Sequence, residues 1–228
     1  MTIAEKLTKI YENTQKVYDA GVEAGKSQGG QTTSELWDSI QDFGNRTNYQ
    51  SVFRYWAGAK YITPKYPIIT SSAYEIFCGC SSLLELPPIQ FTAESNTFYA
   101  AFNSCKVLKE INMDIRPTNV SSSMTQTFFM CQALQTINKI IVTEDVKFTN
   151  TFKWCSELVD VTFEGTIGNS IDFGHSSKLS KECILHIFDH LADKTGTSGF
   201  VVTLGATNLA KLTDTEKAIA TGKGWTLA

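Results

Sequence analysis

Six cysteines and a close pair of histidines are the residues of this chain that could hold a metal, carry redox chemistry or act as nucleophiles. The paired histidines are His186 and His190, with Asp189 between them. Histidines four apart share one face of a helix, and two imidazoles beside a carboxylate make a donor set that zinc accepts. The pair lacks the glutamate next to the first histidine that helical zinc hydrolases use as a general base. Phe188 and Leu191 already define the core side of this helix, so surface or capping histidines are expected and no metal is. A metal-dependent hydrolase using the pair stands as the enzymatic alternative. His175 stands alone. The cysteines fall at 78, 80, 105, 131, 155 and 183 without a Cys-x-x-Cys pair. Four of them stand about one structural repeat apart, a spacing unlike that of paired zinc ligands. No Gly-x-Ser-x-Gly elbow, phosphate-cradling glycine loop or paired carboxylate in apolar surroundings occurs, so no catalytic residue and no cofactor is expected.

The cysteine spacing belongs to a longer signature that describes the elements carrying it. Phe77, Cys80, Leu83 and Leu86 are matched by Phe102, Cys105, Leu108 and Ile111, by Phe128, Cys131, Leu134 and Ile137, and by Phe152, Cys155, Leu158 and Val161. Weaker copies flank them, with Phe53, Trp56, Ala59 and Ile62 before and Phe173, Ser176 and Leu179 after. Successive Phe residues lie 24, 25, 26, 24 and 21 apart. A further residue stands four before each Phe: Tyr49, Ala73, Phe98, Met124 and Phe148. Positions −4, 0, +3 and +6 line one face of a short helix or helical turn. In LKEINM (108–113) and LVDVTF (158–163) the period then changes to alternation, as in a strand buried on one side. One such unit cannot bury its apolar edge alone, but stacked neighbours close a continuous core. Identical positions then stack inward, so the cysteine row reads as free, buried thiols, while Cys78 points elsewhere and is expected to be partly exposed.

These units resemble the BspA-type leucine-rich repeats, whose units carry aF-x-x-C-x-x-L-x-x-I, and the resemblance spans roughly 53–179. The flanks WDSIQDFGNRTNYQSVFRYWAG (37–58) and LTDTEKAIATGKGWTLA (212–228) are similar to the ends of repeat proteins encoded among phage and prophage structural genes of gut bacteria. The family implies an α/β repeat fold: a right-handed leucine-rich-repeat solenoid with a short helical turn and a short strand per unit. It implies recognition or scaffolding and, in the phage-linked branch, a tail-associated virion component. It implies no catalytic residues.

Four segments are expected: an N-terminal helix over 1–25, a flexible linker over 26–35, the solenoid over 36–179 and an αβα-type C-terminal cap over 180–228. Ile3, Leu7, Ile10, Thr14, Val17 and Gly21 are spaced as in a coiled-coil seam, which serves attachment or oligomerisation or packs on the chain's own repeats. KSQGGQTTSE (26–35) separates that helix from the rest. In the cap, Ser180 is placed to start a helix over 181–193 that buries Ile184, Leu185, Phe188 and Leu191. FVVTL (200–204) reads as a strand, and Thr213 with Glu216 as a capping box for a last helix ending near Gly222. Trp37, Trp56 and Trp154 read as core or cap residues.

If the repeats bind something, the strand face is the expected surface, where residues between the apolar anchors point outward in rows. These are Glu85, then Lys109, Glu110 and Asn112, then Gln135, Thr136 and Asn138, then Asp160 and Thr162. The rows are polar and mixed in charge, so a merely solvated sheet is the competing reading. Protein, a cell-surface glycan or other phage structural proteins are the expected partners, with a homo-oligomer through the N-terminal helix. The net charge of −3, from 20 basic and 23 acidic residues, and the lack of a basic track argue against nucleic acid. No apolar run reaches the ~18 residues of a membrane span, and MTIAEKLTKIYENTQ lacks the apolar core of a signal peptide. The chain is therefore expected to be made in the cytoplasm and to act in a virion or outside the cell after release. A cell-surface adhesin for host protein or glycan is the alternative, which predicts an export signal or anchor.

Overall fold

A computed structural model of the chain describes residues 50–62, 68–91, 97–117 and 124–228, all within one compact unit. The seam positions Ile3, Leu7, Ile10, Thr14, Val17 and Gly21, the 26–35 linker and Trp37 lie outside the described residues.

Phe53, Phe77, Phe102, Phe128, Phe152 and Phe173 are all fully buried. Successive rings stack nearly parallel, with centroids 5.4, 5.8, 5.6, 5.8 and 4.6 Å apart. Each such pair adds ~0.5–1.5 kcal/mol to what area burial contributes. Three residues on, Cys80, Cys105, Cys131 and Cys155 are buried, and three further on so are Leu83, Leu108, Leu134 and Leu158.

The backbone that carries these columns departs from the expected helical turn. Two residues before and two after each of the first five Phe, φ is positive: Ser51 and Tyr55, Glu75 and Gly79, Ala100 and Ser104, Gln126 and Met130, Asn150 and Trp154. The left-handed conformation costs an L-residue ~1–2 kcal/mol, and its repetition here has an evident return. Alternate N–H groups turn inward to the same unit, as in Cys80 N to Phe77 O at 3.0 Å and Cys105 N to Phe102 O at 3.0 Å. The groups between them reach the next unit, as in Glu75 N to Tyr99 O, Phe77 N to Ala101 O and Gly79 N to Asn103 O, at 2.7 to 2.9 Å. A helix would keep its bonds to itself, and one so short is unstable in isolation. Tandem turns give each unit lateral rungs to its neighbour as well.

The strands follow in register. β1 (Ile68–Thr70) pairs with β2 (Ile89–Phe91) in parallel. β3 (Glu110–Ile115), β4 (Thr136–Val142) and β5 (Asp160–Gly165) form a three-stranded parallel sheet. Ile111, Ile137 and Val161, nine residues after their Phe, lie side by side and are buried. The register then shifts between Ile111 and Asp114 and between Ile137 and Ile140. Units of unequal length must absorb the odd residue somewhere, and a bulge does so without displacing the buried columns.

After β5 come β6 (Ile171–Asp172), α1 (Lys181–Asp189), β7 (Val201–Thr203), α2 (Gly205–Leu209), α3 (Asp214–Thr221) and β8 (Thr226–Leu227). β6, β7 and β8 form a second three-stranded parallel sheet. Ser180 caps α1 by accepting from Cys183 N, and Thr213 and Glu216 form the reciprocal capping box of α3, as their spacing predicts. α1 ends at Asp189 and not at 193, because the chain beyond it bonds sideways: Ile167 N donates to His190 O and Ala192 N to Ile167 O. Lys223 Nζ donates to the carbonyls of Phe188 and Asp189 at 2.9 Å, placing a cation at the negative end of the helix. Cys183 and Ile187 join Ile184, Phe188 and Leu191 in the core, while Leu185 is only half-buried. α2 has no forewarning in the hydrophobic pattern. Its Asn208 is fully buried and donates to Ser176 O and Leu204 O, and its Oδ1 accepts from Lys211 Nζ.

Candidate functional site

The cysteines are built into the core. Cys80 Sγ donates to Phe53 O at 2.9 Å, Cys105 to Phe77 O at 3.3 Å, Cys131 to Phe102 O at 3.0 Å and Cys155 to Phe128 O at 3.0 Å. Each thiol thus bonds the carbonyl of the Phe one unit earlier. Burial disfavours the thiolate, pushing Cys80 and Cys155 up to about 12 and Cys105 and Cys131 well above their ordinary value. A thiol that holds its proton so firmly is neither a nucleophile nor a ready metal ligand at neutral pH. Cys78 was expected to be partly exposed, yet only 7% of it is. It follows Phe77 directly on a turn, where alternate residues do not point to opposite faces as they would in a strand, and burial raises its pKa too.

Ser176 occupies the cysteine position of the Phe173 unit, and its Oγ is buried without a hydrogen-bond partner. A C–O bond is shorter than a C–S bond, so the hydroxyl falls short of the carbonyl that the larger thiol meets in the other units. Ser176→Cys is expected to raise stability by about 1 kcal/mol, since it replaces an orphaned buried hydroxyl with a satisfied, more apolar group. Urea unfolding of the two proteins checks this; a lower midpoint for the variant would contradict it.

His186 serves the edge of the sheet. β5 is its last strand, and α1 lies where a further strand would pair. Cys183 and His186, three apart on α1, supply what that strand would have offered: Val161 N donates to Cys183 Sγ at 3.4 Å and Phe163 N to His186 Nε2 at 2.9 Å. Phe163 O lies 3.1 Å from the same Nε2, and whichever tautomer is present, accepting from Phe163 N or donating to Phe163 O, that atom keeps no lone pair for a metal. His190 Nδ1 sits 2.9 Å from His186 O, the two rings are 4.3 Å apart, and Asp189 is exposed. Among the described residues no group of three His, Cys, Asp or Glu side chains is placed to hold a metal ion.

The strand face brings the outward residues together. Glu110, Thr136 and Asp160 are direct neighbours across β3, β4 and β5. Glu85, Lys109, Glu110, Asn112, Gln135, Thr136, Asn138 and Asp160 are exposed, and Thr162 is half-buried. Lys109 O accepts from Gln135 N, and Gln135 O from Val159 N and Asp160 N, so the column just before the strands is continuous. Polar cross-links fix part of the face: Asn138 Nδ2 donates to Asp114 Oδ1 at 3.1 Å, and Lys139 pairs with Glu164 at 2.9 Å. Pattern reading passed over the apolar members of the same columns. Leu84, 42% exposed, and Val159, 38% exposed, stand seven after their Phe, as Lys109 and Gln135 do, and Tyr61 stands eight after Phe53. Extending each row through apolar residues would have found them.

Trp56 is half-buried, its ring edge-on to Phe53 at 5.2 Å, whereas Trp154 is 47% exposed, its ring tilted by 51° against His175 with centroids 4.1 Å apart, so of the expected core or cap positions the core is not where Trp154 lies. Among the described residues no helix is long and apolar enough to cross a membrane. Comparison with protein-family models, with curated proteins and with solved structures gives no match to this chain.

Proposed function

We propose that this chain is a non-catalytic binding or scaffolding protein, a leucine-rich-repeat solenoid that presents its strand face to a protein or cell-surface glycan. In keeping with the resemblance of its flanks, we place it as a tail-associated structural component of a phage or prophage, attached or oligomerised through its N-terminal segment. The alignment of Glu110, Thr136 and Asp160 across three strands carries this reading. Parallel strands lie about 4.8 Å apart, so equivalent side chains form a regular array that a rigid partner can read. The flanking Leu84 and Val159 add apolar area of the kind that anchors an interface. The inward residues have no part in it, because stacking consumes them.

Fluorescently labelled full-length chain applied to intact cells of a panel of gut bacteria tests the reading. Binding to at least one strain is expected, weakened about tenfold or more by Glu110→Lys with Asp160→Lys, since reversing charges at an interface costs several kcal/mol. Binding to no strain, or equal binding by the variant, would overturn the strand face as the recognition surface.

A further inference from the structure

Where the Phe152 unit meets the sheet of β6, β7 and β8, the surface opens into a cleft of about 400 Å³. That volume lies within the ~300–1,000 Å³ usual for small-molecule sites. Among its lining residues are Lys147, Asn150, Asn169, Asp172, Phe200 and Thr203.

The cleft has a cause in the repeat itself. At four junctions the residue two before a Phe donates its N–H to the carbonyl three before the next: Ser51 to Tyr74, Glu75 to Tyr99, Ala100 to Thr125 and Gln126 to Thr149. The equivalent pair at the fifth junction is Asn150 and Ser170, which both line the cleft and share no such bond. The Phe-to-Phe interval shortens there to 21 residues, and β6 pairs with β7 instead. A backbone donor and acceptor that close every earlier junction are left at the wall of an opening.

The side chains around it are held in place and keep polar atoms to offer. Asn169 Nδ2 donates to Glu144 O at 2.8 Å and Val146 O at 3.2 Å, which fixes the amide and leaves its oxygen as an acceptor. Asp172 Oδ1 accepts from Gly174 N at 2.8 Å, leaving the second carboxylate oxygen for a ligand. Phe200 supplies an apolar wall, packed on Trp225 with ring centroids 5.6 Å apart and carrying Lys194 Nζ 4.8 Å from its centroid. One ammonium, on Lys147, and one carboxylate, on Asp172, leave the lining near electrical balance. Interspersed donors and acceptors, one aromatic wall and no excess charge suit a compact ligand rich in hydroxyl groups.

We propose that this cleft binds a neutral saccharide of one or two rings. The site is distinct from the strand face, and neither reading depends on the other. Saturation-transfer NMR of the full-length chain with glucose, galactose, mannose, N-acetylglucosamine and disaccharides of these tests it. At least one is expected to bind with a millimolar or tighter constant. Asp172→Asn and Thr203→Val, both near-isosteric, should each weaken it about tenfold, the worth of roughly one well-made hydrogen bond to a charged or buried partner. Their urea midpoints show that the fold is kept, and Glu110→Lys with Asp160→Lys should bind the sugar as the parent does. No transfer from any saccharide, transfer untouched by both cleft variants, or tighter binding of glucuronate than of glucose would each overturn the proposal.

Discussion

Phe128→Ala lowers the unfolding free energy by about 3–5 kcal/mol, the range for truncating a fully packed aromatic. The ring is fully buried in the middle of the column, stacked on Phe102 at 5.6 Å and on Phe152 at 5.8 Å. Its backbone is held as firmly, with Phe128 N donating to Thr151 O and Phe128 O accepting from Cys155 Sγ. Neighbouring rings therefore cannot slide into the space without breaking rungs, so the cavity persists and its cost adds to the lost transfer energy. Two aromatic contacts go at once, which places the effect toward the upper end. Urea unfolding followed by circular dichroism measures it, and a loss under about 1 kcal/mol would mean that Phe128 is not packed as described.

The inward half of this molecule was legible in the sequence because it repeats. Phe, Cys and Leu at fixed offsets in units of 24 to 26 residues could be aligned without any structural knowledge, and all twelve such residues of the four full copies are buried. Caps were legible for a different reason: Ser180, Thr213 and Glu216 act on backbone groups three residues away, so local spacing suffices. The tandem turns were not. A face at −4, 0, +3 and +6 fits a helix and a succession of turns equally, and only the rungs to the next unit decide between them. Nothing in Gln126 or Trp154 announces a positive φ, since the conformation is imposed by neighbours and not preferred by the residue.

The surface was read less completely. Glu85, Lys109, Gln135 and Asp160 mark the outward face by their polarity, while Leu84 and Val159 share that face without any mark in residue type. The histidine pair was expected to be surface or capping residues, and its partner was not legible. Its spacing suits a metal, but His186 stands opposite a strand edge whose N–H groups need acceptors, a demand visible only once β5 is known to be last in its sheet. The cleft beside Asn150 arises from a rung that is missing, and the shortened interval before Phe173 is the one trace of it in the sequence.

The cysteine column ties these observations to solution behaviour. Burial pushes Cys80 and Cys155 from near 9 up to about 12, and Cys105 and Cys131 move in the same direction. A raised thiol pKa means that the folded state favours the protonated form. The associated stability is fully present below about pH 9, where the unfolded thiols are also protonated, and is lost as pH rises from there toward about 12. Reactivity follows the same shift, because the thiolate is the attacking species: three pH units lower its population about a thousandfold, before steric protection is counted.

Alkylation of the native chain by iodoacetamide at pH 8, with each site read by peptide mass, tests the stacked core most directly. Cys80, Cys105, Cys131 and Cys155 are predicted to react at least about a thousandfold more slowly than in the chain unfolded in urea. They should become reactive together, as one cooperative unit, when the fold is lost. Labelling of any of these four at the unfolded rate under native conditions would contradict the inward columns on which the whole account rests.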